Sequence, residues 1–332
     1  KISNIDIANN LNSEIKINNI DNSNSLIEKK FLDFQSYFNS DYILNLNSLM
    51  LNSGYEINIG KGCEIVIFIN NIVSEKELTI FQKNYISCAK NSKVIIVEDF
   101  ASNIKSNKNI VNFLNIEEDS DVTHLIFQNN NSNANLQSTS YANCYSNSKY
   151  KQLVVNISKS SIRNHHYANL NGEGSSVDFD GVFFGSKNQF IDNKTQVNHY
   201  FPNCNSSQCY KGILTDQAKA SYLSKTFVDS MAQKTEAYQL SKGILLSDDS
   251  YFHSKPELRI FADDVKCSHG STIGPIDKDL LFYLRSRGLS KKISTSFLIK
   301  SLFHDVISKI KNKNFVEKFN YQSNIWLRDN NI

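Results

Sequence analysis

Lys255–Leu289 read KPELRIFADDVKCSHGSTIGPIDKDLLFYLRSRGL, and the period of the chain changes inside that stretch. Before Pro275 the residues alternate. Leu258, Ile260 and Ala262 share one parity while Val265 and Cys267 share the other, so a bulge or bend is expected near Asp263–Asp264. After Pro275 the spacing is helical. Asp277 is placed to cap a helix over Lys278–Arg287, and Gly288 follows as its stop. The stretch reads as the last strands of a β structure handing over to helices.

Upstream the strand pattern repeats. Cys63–Ile72 (CEIVIFINNI), Lys93–Phe100 (KVIIVEDF), Val122–Phe127 (VTHLIF), Gln152–Ile157 (QLVVNI) and Val177–Phe184 (VDFDGVFF) are short runs rich in β-branched and aromatic residues. Asn, Ser and Asp clusters, which favour turns, bound most of them. No helical period emerges between about Ser53 and Pro275. Many short strands without helices admit a sandwich, a barrel or a β-solenoid. With only 12 Gly and three Pro in the chain, tight hairpin signals are few, while polar corners suit a solenoid.

The ends differ. Leu26, Phe31, Phe34 and Phe38 lie near helical spacing, with Ser25 as a candidate cap. Beyond Gly288, Ser290 is placed to cap a helix whose apolar face is expected to be Ile293, Phe297, Leu298, Leu302, Val306 and Ile310. A last helix, capped by Asn314, carries Phe315, Phe319 and Trp326. A helical tail of this kind either closes an open solenoid end or binds a partner. The expected division is an N-terminal region over 1–52, a β core over 53–275 and a helical domain over 276–332.

Composition excludes more than it selects. The 332 residues are 40% hydrophobic, enough for a sizeable core, and the net charge of +3 gives no electrostatic case for nucleic acid or an anionic membrane. No apolar run is long enough to span a bilayer. Lys1 in place of Met is read as processing or trimming, and Lys1–Leu11 lacks the apolar core of a signal peptide. Cys63, Cys88, Cys144, Cys204, Cys209 and Cys267 are scattered without a Cys-x-x-Cys pair, which points to a reducing compartment rather than a disulfide framework. The expected location is cytoplasmic, with the plastid stroma as the alternative.

The elements KPxLxIxADDVKCSHG, then TxG, then LFYLRSRG resemble the signature of the SufD branch of the SufB/SufD family of iron–sulfur cluster assembly scaffold proteins. Weaker agreement includes Leu170–Gly174 (LNGEG), His199 with Pro202, Ser207–Lys211 (SQCYK), Ala232–Gln239 (AQKTEAYQ) and Leu245–Ser247, so the resemblance covers roughly Arg163 to Ile310. Two departures stand out. Ser224 occupies a position where the family usually has Gly, putting a local turn near Tyr222–Ser224 in doubt. The helical region that the family carries before its first strands has little room here, so it is expected to be absent or reduced.

The resemblance implies a mainly β fold, a right-handed parallel β-helix core with a C-terminal helical domain and a short N-terminal helical or irregular region. It implies a non-catalytic scaffold subunit of an ATP-driven complex that pairs with a SufB-like paralogue, docks a SufC-like ABC ATPase and forms part of the site where a nascent cluster is built. A homodimer is the expected state of the isolated chain. No cofactor is expected to be held tightly by the chain alone; a transient iron–sulfur cluster is expected in the complex.

Cys267 and His269 form a Cys-x-His pair. In an extended segment they face one side, and thiolate and imidazole both suit iron or zinc. Two ligands cannot fill a tetrahedral shell, so spacing alone favours a metal-free structural role. The resemblance reverses that preference, because the pair matches the family's proposed cluster-building positions. Lys266 could lower the thiol pKa, but its parity points it to the opposite face. Asp263 and Asp264 read as a surface turn before they read as acid–base groups. Gln233, Thr235, Ala237 and Gln239 share one face of a strand and suit a stacked polar ladder. His165, His166 and His199 lack ligand partners at suitable spacing, Cys204 and Cys209 have no further ligand between them, and Gly172–Gly174 lacks the strand–helix context of a phosphate loop. In the helical segment Asp277–Ile310, Leu281, Phe282, Leu284, Arg285 and Arg287 are the expected ATPase contacts; sealing the solenoid end is the alternative.

Three rivals remain open. A β-helix carbohydrate enzyme needs carboxylates clustered on successive rungs, and Asp248–Asp249 and Asp263–Asp264 are the pairs weighed for that role. The SufB paralogue replaces the CSHG region with a His flanked by Glu. A solenoid interaction protein without a metal role is the third.

Overall fold

Alternation of inward apolar and outward polar residues produces two facing sheets, and the chain crosses from one to the other after almost every strand. The computed structural model describes residues 4–8, 14–20, 42–71, 79–100, 106–130 and 134–332. Nine strands form the first sheet, in the spatial order β1 (Asn4–Ala8), β4 (Glu64–Asn70), β6 (Lys93–Asp99), β8 (Asp121–Gln128), β10 (Lys149–Asn156), β12 (Ser176–Gly185), β14 (Asn205–Leu214), β16 (Thr235–Leu245) and β18 (Val265–Pro275). The second sheet, also of nine, runs β2 (Ile15–Asn19), β3 (Ser53–Ile59), β5 (Thr79–Cys88), β7 (Asn107–Ile116), β9 (Asn135–Cys144), β11 (Ser161–Leu170), β13 (Phe190–His199), β15 (Lys219–Val228) and β17 (Tyr251–Ile260).

From β3 and β4 onward every pairing is parallel and skips one strand, which makes the fold a parallel β-solenoid of two strands per rung. One rung takes about 28 residues, the separation across the Asn84–Asn112 side-chain bond. β1 and β2 add to the far end as antiparallel strands on β4 and β3.

The Asn, Asp and Gly of the corners have a backbone reason. Gly62, Asn91, Asp119, Asn147, Gly174, Asn203 and Lys234 all have positive φ and occupy one corner on successive rungs. Asn and Asp tolerate this left-handed conformation better than other side chains, and Gly has no Cβ to clash. The corners stack by backbone bonds: Asn91 N–H donates to the Glu118 carbonyl, Asp119 to Ser146, Asn147 to Glu173, Asn203 to Gln233 and Lys234 to Asp264.

The core between the sheets holds Ile57, Ile86, Leu114, Ala142 and Ala168 from one side and Ile67, Ile96, Val122, Tyr150 and Phe179 from the other. The turn put in doubt near Tyr222–Ser224 is absent there: Ser224 lies inside β15 and is buried, and its hydroxyl donates to Gln239 Oε1. A short helix, α1 (Tyr42–Leu49), packs Leu44 and the buried Asn47 onto the second sheet. The expected helix around Leu26–Phe38 lies outside the described residues.

Three helices follow Pro275: α2 (Lys278–Ser286), α3 (Lys291–Ile307) and α4 (Lys313–Asp329). Asp277 accepts from the amides of Asp279 and Leu280, and Ser290 from that of Ile293. The last cap is Asn312, two residues before the expected Asn314, because α4 begins at Lys313. α3 buries part of the face expected of it: Val306 is buried and Leu302 and Ile310 pack against the same core, but Ile293 and Phe297 at its start are exposed. The buried face is rotated to take in Ile299, Phe303 and Ile307, with Ser294 also buried.

These helices do not close the solenoid end. α3 and α4 lie along the outer face of the first sheet, where Phe303, Phe315, Phe319, Trp326 and Leu327 pack against Phe127, Val155, Phe184 and Ile213. The rings of Phe184 and Phe303 are 4.9 Å apart. Ion pairs Lys211–Asp305, Lys309–Asp180 and Lys318–Asp99 fasten the same layer. No helix among the described residues is long and apolar enough to cross a membrane.

Candidate functional site

Alternation within each strand divides its residues between the solenoid interior and the outer face. In the first sheet the inner positions line up in rows. Ile67, Ile96, His124, Gln152, Phe179, Gln208, Gln239 and His269 form one row, each residue in register with the next. Cys267 ends the neighbouring row, opposite Ala237. The expectation that Cys267 and His269 share a face is therefore met by the register of β18. The change of direction expected near Asp263–Asp264 is there, as a bend and not a bulge. β17 ends at Ile260 and β18 begins at Val265, so Phe261–Asp264 is a whole corner between the two sheets, and this accounts for the change of parity.

β18 and β17 are the outermost strands at this end. With no further rung above them, the inner rows open to solvent: His269 is exposed and Cys267 partly so. Cys267 packs beside Val265 against Val228, Ala232 and Ala262. Burial raises its thiol pKa, and a backbone hydrogen bond at Ala237 lowers it in part. Lys266 points to the opposite face and donates to Glu236 Oε1 at 2.9 Å. The other five cysteines are buried. Burial pushes the thiol of Cys88 to about 12 and that of Cys209 to about 11, and raises Cys144 and Cys204 as well. Cys267 is thus the one cysteine with solvent access. Among the described residues no group of three or more His, Cys, Asp or Glu is placed to hold a metal ion.

Several sequence candidates are structural. His165 Nε2 meets Asp192 Oδ2 at 2.9 Å, Ser140 Oγ meets His166 Nδ1 at 2.7 Å, and His199 Nε2 meets Ser206 Oγ at 2.9 Å. Burial holds all three imidazoles below their usual pKa, His199 at about 4. Gln233 sits in a turn ahead of β16, where its amide donates to the Ser230 carbonyl, so it is not part of the strand face assigned to it. Gln239 does join a polar ladder: its Nε2 and that of Gln208 both donate to Thr226 Oγ1 at 2.8 Å. Asp264 accepts from the Lys234 amide as part of the corner stack.

One buried constellation escaped the sequence reading. Glu98 and His124 are both fully buried, and His124 Nε2 lies 3.0 Å from Glu98 Oε2. Asn71 and Asn112 each donate to the same carboxylate at 2.9 Å, and Tyr150 Oη lies 3.2 Å from His124 Nδ1. Buried polar atoms of this kind are costly unless hydrogen-bonded, and these contacts supply the partners. The available signal was a polar residue at an inward parity, His124 between Val122 and Ile126.

At the other candidate surface, α2 buries none of its residues. Leu281 and Leu284 are half-buried, Phe282, Arg285 and Arg287 are exposed, and the Arg287 guanidinium sits 5.2 Å from the Tyr283 ring centre. Leu280, Tyr283, Ile293 and Phe297 extend this exposed apolar surface onto α3.

Residues 70–302 match the family described as SUF system FeS cluster assembly, SufBD core domain. The chain is 36% identical over 138 residues to the iron–sulfur cluster assembly protein SufD of Escherichia coli, covering 42% of this chain and 33% of that protein. It is 30% identical over 202 residues to an iron–sulfur cluster assembly SufBD family protein of Synechocystis, covering 61% of this chain and 45% of the relative. It is 27% identical over 251 residues to the SufD of Plasmodium falciparum, covering 74% of this chain and 17% of the relative. These matches each span less than half the length of the relative.

Proposed function

The chain belongs to the SufBD core family of the SUF iron–sulfur cluster assembly system, and on that premise we propose that it is a non-catalytic scaffold subunit on which a nascent cluster is built together with a SufB-like chain. Two relatives named SufD support the SufD reading over the SufB one. The observation that carries the proposal is the open end of the solenoid, where β17 and β18 each offer a free edge and the inner rows finish on Cys267 and His269. A free strand edge presents a line of backbone donors and acceptors that a related strand can pair with. Cys267 and His269 supply a soft and a borderline ligand, too few to close a shell, so the partner brings the remainder. The cluster is cargo of this site. In isolation the same edges are open to a second copy, and a homodimer is the expected result.

Docking of a SufC-like ABC ATPase is assigned to α2 and the start of α3. Phe282, flanked by Leu281 and Leu284 and rimmed by Arg285 and Arg287, gives an apolar anchor with cationic edges. In this reading residues 1–52 form an N-terminal region, 53–275 the pairing solenoid and 276–332 the helical layer that carries the ATPase.

Co-purification with SufB-like and SufC-like chains, followed by anaerobic absorption spectroscopy during iron and sulfide loading, tests this reading. A ternary complex that develops charge-transfer bands absent from this chain alone is the expected result. Failure of the chains to associate, or a cluster that forms equally well without this chain, would overturn it.

A further inference from the structure

One corner of the solenoid changes character along its length. On the early rungs it reads Gly60-Lys61-Gly62, Ala89–Ser92 (AKNS), Glu117–Ser120 (EEDS), Tyr145–Ser148 (YSNS) and Asn171–Ser175 (NGEGS), nearly all polar or small, as a solvated turn requires. On the last three rungs it reads Tyr200–Cys204 (YFPNC), Asp229–Lys234 (DSMAQK) and Phe261–Asp264 (FADD). The backbone stack is continuous across the change, since Gly174 N–H donates to the Pro202 carbonyl as Lys234 does to Asp264. Only the side chains switch.

The corner rings Tyr200 and Phe261 join through the half-buried Phe227 of β15 into one aromatic ladder. Tyr200 and Phe227 have ring centres 6.0 Å apart, Phe227 and Phe261 5.7 Å, and the Arg259 guanidinium lies 5.3 Å from the Phe261 ring. Phe201, Met231 and Phe261 are 45%, 73% and 53% exposed. Arg259 makes no ion pair among the described residues. The inner wall of the same corner is the cluster of Val228, Ala232 and Ala262 against which Cys267 packs. The ladder ends at the last rung, beside the free edges of β17 and β18.

We infer that this aromatic corner is a docking surface for the chain that pairs with the β17 and β18 edges, which contacts it through its own corner segment, apolar and carrying a carboxylate for Arg259. The inference rests on the pairing proposed above and names a contact which that pairing does not require. A rung added beyond β17 and β18 passes over Phe261 as each rung passes over the one before. Exposed apolar side chains on three successive rungs, Tyr200 and Phe201, then Met231, then Phe261, at the end where a further rung can attach, are accounted for by an apolar cover. A desolvated guanidinium stacked on an aromatic ring is well suited to pair with a carboxylate. Because Phe261 and Ala262 are adjacent, covering the corner also holds the residue against which Cys267 packs.

The test is the affinity of the full-length chain for the SufB-like chain, measured by sedimentation, for wild type, Phe261→Ser with Met231→Ser, Arg259→Glu and Tyr321→Ser, the last on the exposed side of α4. The corner variants should bind roughly tenfold or more weakly, as loss of a buried aromatic anchor does, while Tyr321→Ser binds as wild type. Corner variants that bind as tightly as wild type overturn the corner and leave the pairing intact; a wild-type chain that does not associate at all overturns the pairing on which it rests. Should Phe261→Ser fail to fold, Met231→Cys carrying an environment-sensitive dye answers the same question. A blue shift on adding the SufB-like chain supports the contact, and an unchanged spectrum with complex formed refutes it.

Discussion

His269 stands directly across the ladder from Gln239, the last buried glutamine of the inner row. The two side chains face the same interior, yet Gln239 is packed under a rung and His269 is not. The same parity that buries His124 and Gln152 within the solenoid thus delivers an exposed imidazole at its end, beside a thiol two residues away. A scaffold that assembles a labile product with a partner needs ligands that are rigidly placed and still reachable.

The buried Glu98–His124 pair should matter for folding alone. Glu98→Ala leaves His124, Asn71 and Asn112 without their common acceptor, and breaking a buried pair from one side costs about 3–5 kcal/mol. Urea unfolding should show a loss of this order with cluster assembly on the folded fraction unchanged.

The helical layer should be needed for solubility. Removing the residues after Pro275 would uncover Phe127, Val155, Phe184 and Ile213 on the first sheet, so such a truncation should aggregate and cannot isolate ATPase docking. Phe303→Ala should cost about 3–5 kcal/mol by the cavity it leaves. Phe282→Asp, on an exposed side chain, should leave the melting temperature within a degree or two while abolishing co-elution with the ATPase. Retained co-elution would place docking elsewhere.

Asp180 gives a pH prediction. Burial raises its carboxyl pKa to about 6 against the partial relief supplied by Lys309. Its folded pKa exceeds its ordinary value, so the native state holds the proton more tightly. The associated stability is present at low pH and is lost as pH rises through about 6. Asp180→Asn removes this titration. The stability of the variant relative to wild type should therefore climb between pH 4 and 7, by up to about 2–3 kcal/mol, as read from denaturant midpoints. A pH-independent difference would show that Asp180 is not strained by its burial.

The β class was legible because the short alternating runs were long enough to count, and the polar corners because left-handed positions such as Asn91, Asp119 and Asn147 select Asn and Asp. The two-sheet arrangement was less so, since a period of two says only that a strand has two faces and leaves its pairing partner open. The orientation of α3 was legible only in part, for a related reason: Val306, Leu302 and Ile310 pack inward as expected, but Ile293–Phe297 and Ile299–Phe303 are both credible continuations, and only the position of the first sheet decides between them. The shared face of Cys267 and His269 was legible because a two-residue spacing in a strand is itself a geometric statement; the ligand role proposed for them came from the family resemblance, since spacing alone favoured a metal-free pair. Glu98 and His124 were missed because they meet through a pairing 26 residues apart.

The central claim is that Cys267 and His269 contribute to cluster building in a complex whose assembly does not depend on them. Its direct test is the rate at which the anaerobic absorption of a nascent cluster appears on the reconstituted complex with SufB-like and SufC-like chains, compared for wild type, Cys267→Ala and His269→Ala. The account predicts that both variants form the complex and melt as wild type does, while clusters appear roughly tenfold or more slowly, as expected for loss of a metal ligand. Clusters forming at the wild-type rate in both variants would show that the pair is structural and contradict the account.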